Sequence, residues 1–436
     1  MKEYAKFVTV YILTKLSKLI LKKYKPKIVV VTGSVGKTST KDAIYTAISP
    51  FAHVRKSEKS YNSEIGIPLT ILGAPNGWSN PSVWLANILG GISLVLFKHK
   101  YPEWLVLEVG VGKPGDMKKI ASWLRSDVVV ITHFGTVPVH IEFFASKSEI
   151  VKEKKQLINT LKKDGLLLLH SEDKDVHDLK HEFGHLNVRT YGFGDVADIK
   201  GTMPQIIYEM GARGKDVPVG MSFRVDISGN SVPINITGGL GMGHLSGPLA
   251  GIALVVDQKW NIVEASKAFE EFVLPQARMR LVEGREGSTI IDDTYNSSPA
   301  ALRASIDMLG SVETKGRKIA VLGDMLELGK HTEEEHLEAG RRVSKVASIL
   351  YTVGPRAEFI AKGAIEAGLS EDRVVVFRSL KDAIETIRDI IGDTDVIRVK
   401  GSQSMRMERL VEARMAHPEN KANLLCRQEE EWLKRV

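Results

Sequence analysis

The sequence predicts an α/β fold of two successive units, each built on a mostly parallel sheet. Three observations predict it. Residues 28–31 (IVVV) are an uninterrupted β-branched run, as in a strand buried on both faces. A glycine loop follows at once, then a helical stretch from about Lys37. Beyond it, strand candidates alternate with helical stretches, which is the pattern of parallel strands joined by crossover helices.

The elements follow in order. Residues 104–109, 127–132 and 166–169 are further strand candidates of the first unit. Residues 82–97 (SVWLANILGGISLVLF) are apolar but short for a membrane span and interrupted by Gly90-Gly91, so a helix packed on the sheet is expected. Residues 195–240 are rich in glycine and carry alternating segments such as 222–227, which suits short antiparallel strands. The α/β pattern restarts near residues 274–280. Strands are expected at 289–292, 318–322, 348–353, 373–377 and 395–399, with a helix at about 299–309. The expected divisions are an N-terminal helix (1–25), a central domain (26–274) and a C-terminal domain (275–436).

Composition narrows the classes. The chain has 436 residues, 43% hydrophobic and 26% charged, values of a folded protein. Its net charge of +7 and pI of about 9.1 suit anionic substrates or an anionic surface. No zinc spacing and no RNA-binding aromatic motif is present, so nucleic acid is not an expected partner. The one cysteine, Cys426, cannot form an internal disulfide, which points to a reducing, cytoplasmic setting. Residues 4–21 (YAKFVTVYILTKLSKLIL) are apolar but interrupted by Lys6, Lys15 and Lys18. They fit neither a membrane span nor a signal peptide. At helical spacing Lys15, Lys18, Lys22 and Lys25 share one face, and Val8, Ile12, Leu16 and Leu19 another. Two readings stand: a basic amphipathic helix at the inner face of a membrane, or a helix docked on its own globular body.

The strongest chemical signal is Thr32-Gly33-Ser34-Val35-Gly36-Lys37-Thr38, set between a strand and a helix. Backbone N–H groups of Gly33, Ser34, Val35 and Gly36 and the helix N-terminus suit polyphosphate. Lys37 would reach the β- and γ-phosphates of ATP, and the Thr38 hydroxyl would ligate Mg²⁺. The general phosphate-loop pattern places a glycine five positions before Gly36, where this chain has Val31. Glu108 ends a strand candidate, and open α/β sheets bind ligands at the carboxyl ends of their strands. His140 follows another strand and suits a ligand or acid–base role, although alone it reads equally as structural. Lys154 lies in a lysine-rich helix whose plain reading is a solvated face. In the second unit Arg278 lies in PQARMR, Asp293 and Asn296 in DDTYN, and a further polar loop follows in LGDMLELG, all but the first at strand ends.

Taken in order, TGSVGKTSTKD, NSEIGIPLTIL, EVGVGKPGDM, PVHIEFFASKSEIVKEKKQL, GHLSGPLAGIAL, DDTYNSSPAALRAS, LGDMLELG and VKGSQSMRMER resemble the Mur ligase family, and most closely its D-alanyl-D-alanine-adding branch. The resemblance runs from about residue 28 to 412. It implies a central P-loop ATPase domain with a mostly parallel sheet, followed by a Rossmann-like C-terminal α/β domain that closes over it. It also implies an ATP- and Mg²⁺-dependent, ADP-forming ligase that phosphorylates a carboxylate of a cell-wall precursor. An amino acid or dipeptide such as D-alanyl-D-alanine then attacks the acyl-phosphate. Carried over by position, Thr38 and Glu108 bind one Mg²⁺, and His140 and a carbamylated Lys154 bind a second. Lys152 and Lys155 remain alternatives for the carbamylated lysine. Arg278 touches the γ-phosphate, Asp293 the ribose and Asn296 the base.

The chain departs from the family in places. His133–His140 spacing is about two residues longer than usual, Gln276-Ala277-Arg278 replaces P-G-R, and His244-Leu245-Ser246-Gly247-Pro248 replaces H-N-x-x-N. The family's N-terminal UDP-binding domain is expected to be absent. Two other readings share the phosphate site: a related amide ligase on a non-UDP acceptor (poly-amino-acid, pseudomurein or lipid-linked), and a non-catalytic nucleotide-binding partner.

Overall fold

The computed structural model describes residues 2–58, 62–78, 80–134, 146–211, 214–227, 229–387 and 392–433. The chain groups into two compact units. The first comprises Met1–Met203, Phe223–Ile234 and Gly243–Phe272, and the second Pro204–Ser222, Asn235–Met242 and Val273–Val436.

The chain begins with α1 (Lys2–Tyr24), β1 (Lys27–Thr32), α2 (Lys37–Ile48), β2 (Val54–Lys56), α3 (Gly66–Leu72) and α4 (Pro81–Leu96). Next come β3 (Trp104–Glu108), α5 (Asp116–Ala121), β4 (Ser126–Ile131), α6 (Lys147–Lys155), β5 (Leu161–His170) and β6 (Asn187–Gly192). The strands β7 (Ile199–Met210), β8 (Asp216–Ile227) and β9 (Asn230–Thr237) complete a nine-stranded sheet of order β2-β3-β1-β4-β5-β6-β7-β8-β9. The segment 222–227 expected to be extended lies inside β8. Every residue of β1 after Lys27 is buried, which explains why the run does not alternate apolar with polar. β1 is paired in parallel with β3 on one side and β4 on the other. Register sets Val31 opposite Glu108 and Thr32 opposite Ile131, so three strand ends meet where the glycine loop leaves the sheet.

α1 resolves its two readings in part. Leu13, Leu16 and Ile20 are buried in one cluster with Ile28, Val30, Leu69 and Leu105, so this helix belongs to the core. The apolar face read from the sequence is divided: Leu16 packs inward, Ile12 lies half-buried against the same cluster, and Val8 and Leu19 are exposed. Lys15, Lys18, Lys22 and Lys25 all face solvent. α4 starts where Asn80 accepts a bond from the Ser82 amide (3.0 Å) and Pro81 fills the first helical position. No helix among the described residues is long and apolar enough to cross a membrane.

The second unit holds β10 (Arg280–Glu283), β11 (Thr289–Asp293), β12 (Lys318–Gly323), β13 (Ile349–Val353), β14 (Val374–Phe377) and β15 (Val396–Lys400) in the order β10-β11-β15-β12-β13-β14. β10 is antiparallel to β11, and the other pairs are parallel. Its core includes Ile319, Val321, Tyr351, Val353, Ile397 and Val399. Register places Asp293 directly opposite Lys400 at the carboxyl ends of β11 and β15.

Candidate active site

The glycine loop is stitched to the end of β4. Gly33 has φ of +153°, and a Cβ there would lie 1.9 Å from the Thr132 hydroxyl oxygen, so only glycine fits. That hydroxyl donates to the Val35 carbonyl (2.7 Å). The amides of Ser34 and Val35 donate to the His133 carbonyl (2.8 and 3.2 Å). They are therefore satisfied within the chain, whereas the first N–H groups of α2 have no partner within the helix, the arrangement that suits an anion. Gly36, with φ of +83°, occupies the N-cap of α2. Lys37 arches back over the loop and donates to the carbonyls of Gly33 (3.0 Å) and Ser34 (3.3 Å).

Thr38 and Glu108 meet. The Thr38 hydroxyl donates to one Glu108 oxygen (2.9 Å), and the Asn62 amide donates to the other (3.1 Å). Glu108 is 1% exposed. Its backbone amide donates to the Ser57 hydroxyl (3.2 Å), while buried Lys41 donates to the Ser57 carbonyl (2.7 Å). Burial pushes the Lys41 ammonium below its ordinary value, opposed by the charges of Asp42 and Glu108. No group of three or more His, Cys, Asp or Glu suited to a metal occurs among the described residues. Mg²⁺ binds through one or two carboxylates, keeps waters and takes the rest of its oxygens from phosphate. The Thr38 hydroxyl and Glu108 carboxylate supply hard oxygen donors of that kind.

Lys154 comes to the loop from the other side. Its ammonium donates to the Ser34 hydroxyl (2.7 Å) and lies 5.8 Å from the Phe134 ring centroid. The residue is 5% exposed. Burial, reinforced by the charge of Lys37 and opposed by Asp173, pushes its ammonium down to about 7. Lys152 faces solvent, and Lys155 pairs with Glu182. Of the three lysines, Lys154 is thus the one directed at the loop. His140 lies outside the described residues.

The C-terminal candidates are held differently. Asp293 accepts through one oxygen, Oδ2, from Lys400 (2.7 Å), Arg398 (2.8 Å) and the Ser305 hydroxyl (3.0 Å). Burial alone would raise its carboxyl, but the two cations outweigh it and hold the group below its ordinary value. A ribose hydroxyl would have to use the other oxygen. Asn296 is exposed; its side-chain oxygen accepts from the Gln403 amide (3.3 Å) and its carbonyl from Lys400 (2.8 Å). Arg278 lies between Ala277 (φ +55°) and Met279 (φ +56°), two left-handed residues that are not glycine. Each costs on the order of 1 kcal/mol. The turn is held by bonds from the Tyr295 amide to the Ala277 carbonyl and from the Leu240 amide to the Met279 carbonyl. Arg278 stacks 4.3 Å from the Tyr295 ring centroid.

The structure brings further residues to these positions that local sequence does not mark. Asp173 pairs with His133 (2.9 Å) and accepts from the Phe134 amide (2.7 Å), fixing the turn after β4. It lies in SEDKD, which reads as an ordinary polar loop. The loop pattern marks Ser34 by its amide, and it is the hydroxyl that meets Lys154. Arg398 and Lys400 sit on the same face of β15 at period two, a spacing that could have marked them as partners for the DD pair.

The chain is similar to known proteins along most of its length. The chain matches the Mur ligase middle domain over residues 31–240 and the Mur ligase glutamate ligase domain over residues 277–403. It is 29% identical over 415 residues to the UDP-N-acetylmuramoyl-tripeptide–D-alanyl-D-alanine ligase of Bacillus subtilis, covering 94% of this chain and 80% of that one. Among solved structures it is similar to MurF ligase of Thermotoga maritima in complex with ADP, with TM-score 0.72, 24% identity, and 93% and 83% of the two chains covered. It is similar also to MurF of Acinetobacter baumannii, with TM-score 0.73, 19% identity, and 92% and 79% covered. At these identities the structural likeness speaks for the fold.

Proposed function

The chain belongs to the Mur ligase family, and on that premise we propose that it is an ATP-dependent, ADP-forming ligase that joins D-alanyl-D-alanine, or a similar amino compound, to a carboxylate of a cell-wall peptide precursor. The relatives' activity supports this reading. So does the chemistry of the site. A carboxylate does not react with an amine until one of its oxygens becomes a good leaving group, and phosphorylation by ATP achieves that. Lys37 and the start of α2 neutralise and orient the phosphates. Mg²⁺, when bound with ATP, offsets the charge that develops on the transferring phosphoryl group. Thr38 and Glu108 would hold one such ion, and His140 and Lys154 a second. Arg278, Asp293 and Asn296 are the proposed nucleotide contacts of the C-terminal domain.

One observation carries the reading: Lys154 is buried against the Ser34 hydroxyl with its ammonium pushed down to about 7. An ordinary nucleotide-binding domain needs no such lysine. An amine that is substantially neutral near pH 7 can capture CO₂ as a carbamate, which converts a cation into an oxygen ligand. The proposed functional division is 26–274 and 275–436, preceded by the basic helix of residues 1–25, which packs into the core of the first unit. A cytoplasmic setting, at the inner face of a membrane, is proposed with it.

The test is ADP release from ATP with UDP-N-acetylmuramoyl-tripeptide and D-alanyl-D-alanine, each omitted in turn. ADP formation that requires both supports the reading. ATP binding without ADP formation for any acceptor and amine would overturn it in favour of a non-catalytic partner.

A further inference from the structure

We propose that α4 and the lysine-bearing face of α1 form one docking surface for an anionic lipid bilayer. The observation that starts the argument is the outer face of α4. Leu85 (59% exposed), Leu89 (57%), Ile92 (39%) and Leu96 (69%) follow one another at helical spacing and stand in solvent, and Phe97 (64%) extends the stripe. The opposite face of the same helix, marked by Asn87 and Gly91, is buried. Four apolar residues in one exposed line are more than the scattered surface leucines of ordinary proteins. Beside the stripe runs an apolar groove of about 700 Å³ lined by Leu72, Pro75, Val83, Ala86 and Leu94.

Charge identifies the occupant. Residues 78–102 contain Lys98 and Lys100 and no acidic residue, and residues 1–25 contain seven lysines and one glutamate. Two side chains fix the end of α1 beside the end of α4. Lys23 donates to the carbonyls of Leu94 and Val95 (2.9 Å each), and the Tyr24 hydroxyl donates to the Leu94 carbonyl (3.0 Å). Exposed Lys22 and Lys25 flank these two anchors in sequence, exposed Lys98 and Lys100 follow Phe97, and Phe7, Tyr11, Lys15 and Lys18 continue the exposed face of α1. A second copy of this surface would bring like charges together, and nucleic acid would leave the leucine stripe wet. A bilayer with anionic headgroups satisfies both parts. The stripe enters the headgroup–acyl boundary, and the lysines reach the phosphates with their stems on the apolar surface. This differs from the amphipathic helix expected from the sequence, since α1 spends Leu13, Leu16 and Ile20 on the core and α4 supplies the apolar contact.

The experiment is flotation of the full chain with vesicles of phosphatidylcholine alone and of phosphatidylcholine mixed with phosphatidylglycerol. Binding to the anionic vesicles only is expected, decreasing as salt rises from about 0.05 to about 0.5 M. Leu85→Gln/Leu89→Gln/Leu96→Gln should weaken it at least about tenfold. Lys15→Gln/Lys18→Gln/Lys22→Gln should weaken it about tenfold and flatten the salt dependence. All six side chains are exposed, and circular dichroism and ADP release should be unchanged in both variants. Absence of flotation of the unaltered chain with anionic vesicles at low salt overturns the proposal. So does undiminished binding by the leucine variant, or a dimer in ultracentrifugation that the leucine variant abolishes while no vesicle is bound.

Discussion

The Lys154 ammonium donates to the Ser34 hydroxyl at 2.7 Å, joining α6 to the glycine loop across 120 positions of sequence. It places a buried lysine, with its ammonium pushed down by burial and by Lys37, at the loop proposed to hold ATP.

Lys154 should bind CO₂. In bicarbonate labelled with ¹³C, one carbamate resonance is expected at neutral and higher pH. It should decline as the pH falls below about 7, where the amine takes up a proton. Lys154→Ala should lack the resonance and lose ADP release, whereas Lys152→Ala should retain both. A resonance that survives Lys154→Ala would assign the carbamate to another lysine.

Without CO₂, Lys154 should make stability depend on pH. Its folded value of about 7 lies below the ordinary 10.5, so between those values the unfolded chain binds a proton that the folded chain does not. Stability therefore rises with pH across that window. In CO₂-free buffer, Lys154→Met should be more stable than the unaltered chain by on the order of a few kcal/mol near pH 7, the gap closing toward pH 10.5. Urea denaturation at both ends of the window decides; a gap that does not change with pH contradicts the burial argument.

Lys37→Ala should lower ADP release by at least about 10²-fold, the scale of removing one charge-stabilising donor from a transition state. The chain should still fold, because Lys37 is only half-buried and lies outside the hydrophobic core. The same change removes a charge that depresses Lys154. The pH midpoint of the carbamate signal should therefore move up, a shift that a purely structural role for Lys37 would not produce.

Asp293→Asn should destabilise the second unit by about 3–5 kcal/mol, because Arg398 and Lys400 would stay buried with their counter-charge removed. The Asp293 contribution is present above pH 3.8 and lost as the pH falls below it through the depressed folded value. Urea denaturation measures the loss. A change below about 1 kcal/mol would mean that the two cations find other partners.

The fold was legible where burial imposes a pattern. The β-branched runs that became β1 and β4 and the glycine loop between strand and helix could be read directly, since buried parallel strands and phosphate loops have few sequence solutions. Local spacing could not show what meets across the chain. Lys154 read as one of several solvated lysines, and only the packing of α6 separates it from Lys152. Asp293 was assigned by resemblance to ribose, while the structure engages one of its oxygens with Lys400 and Arg398 from the neighbouring strand. α4 was read as a helix packed on the sheet, but periodicity alone did not tell that its leucine stripe faces outward.

Oxygen carried from the acceptor reports directly on the acyl-phosphate route. With ¹⁸O in the carboxylate of the peptide precursor, transfer of the γ-phosphoryl group and attack by the amine must leave one acceptor oxygen on the released phosphate. ¹⁸O is expected in inorganic phosphate, one label per amide bond formed, with ADP as the other product. Unlabelled phosphate, or label found in AMP, would contradict an acyl-phosphate route.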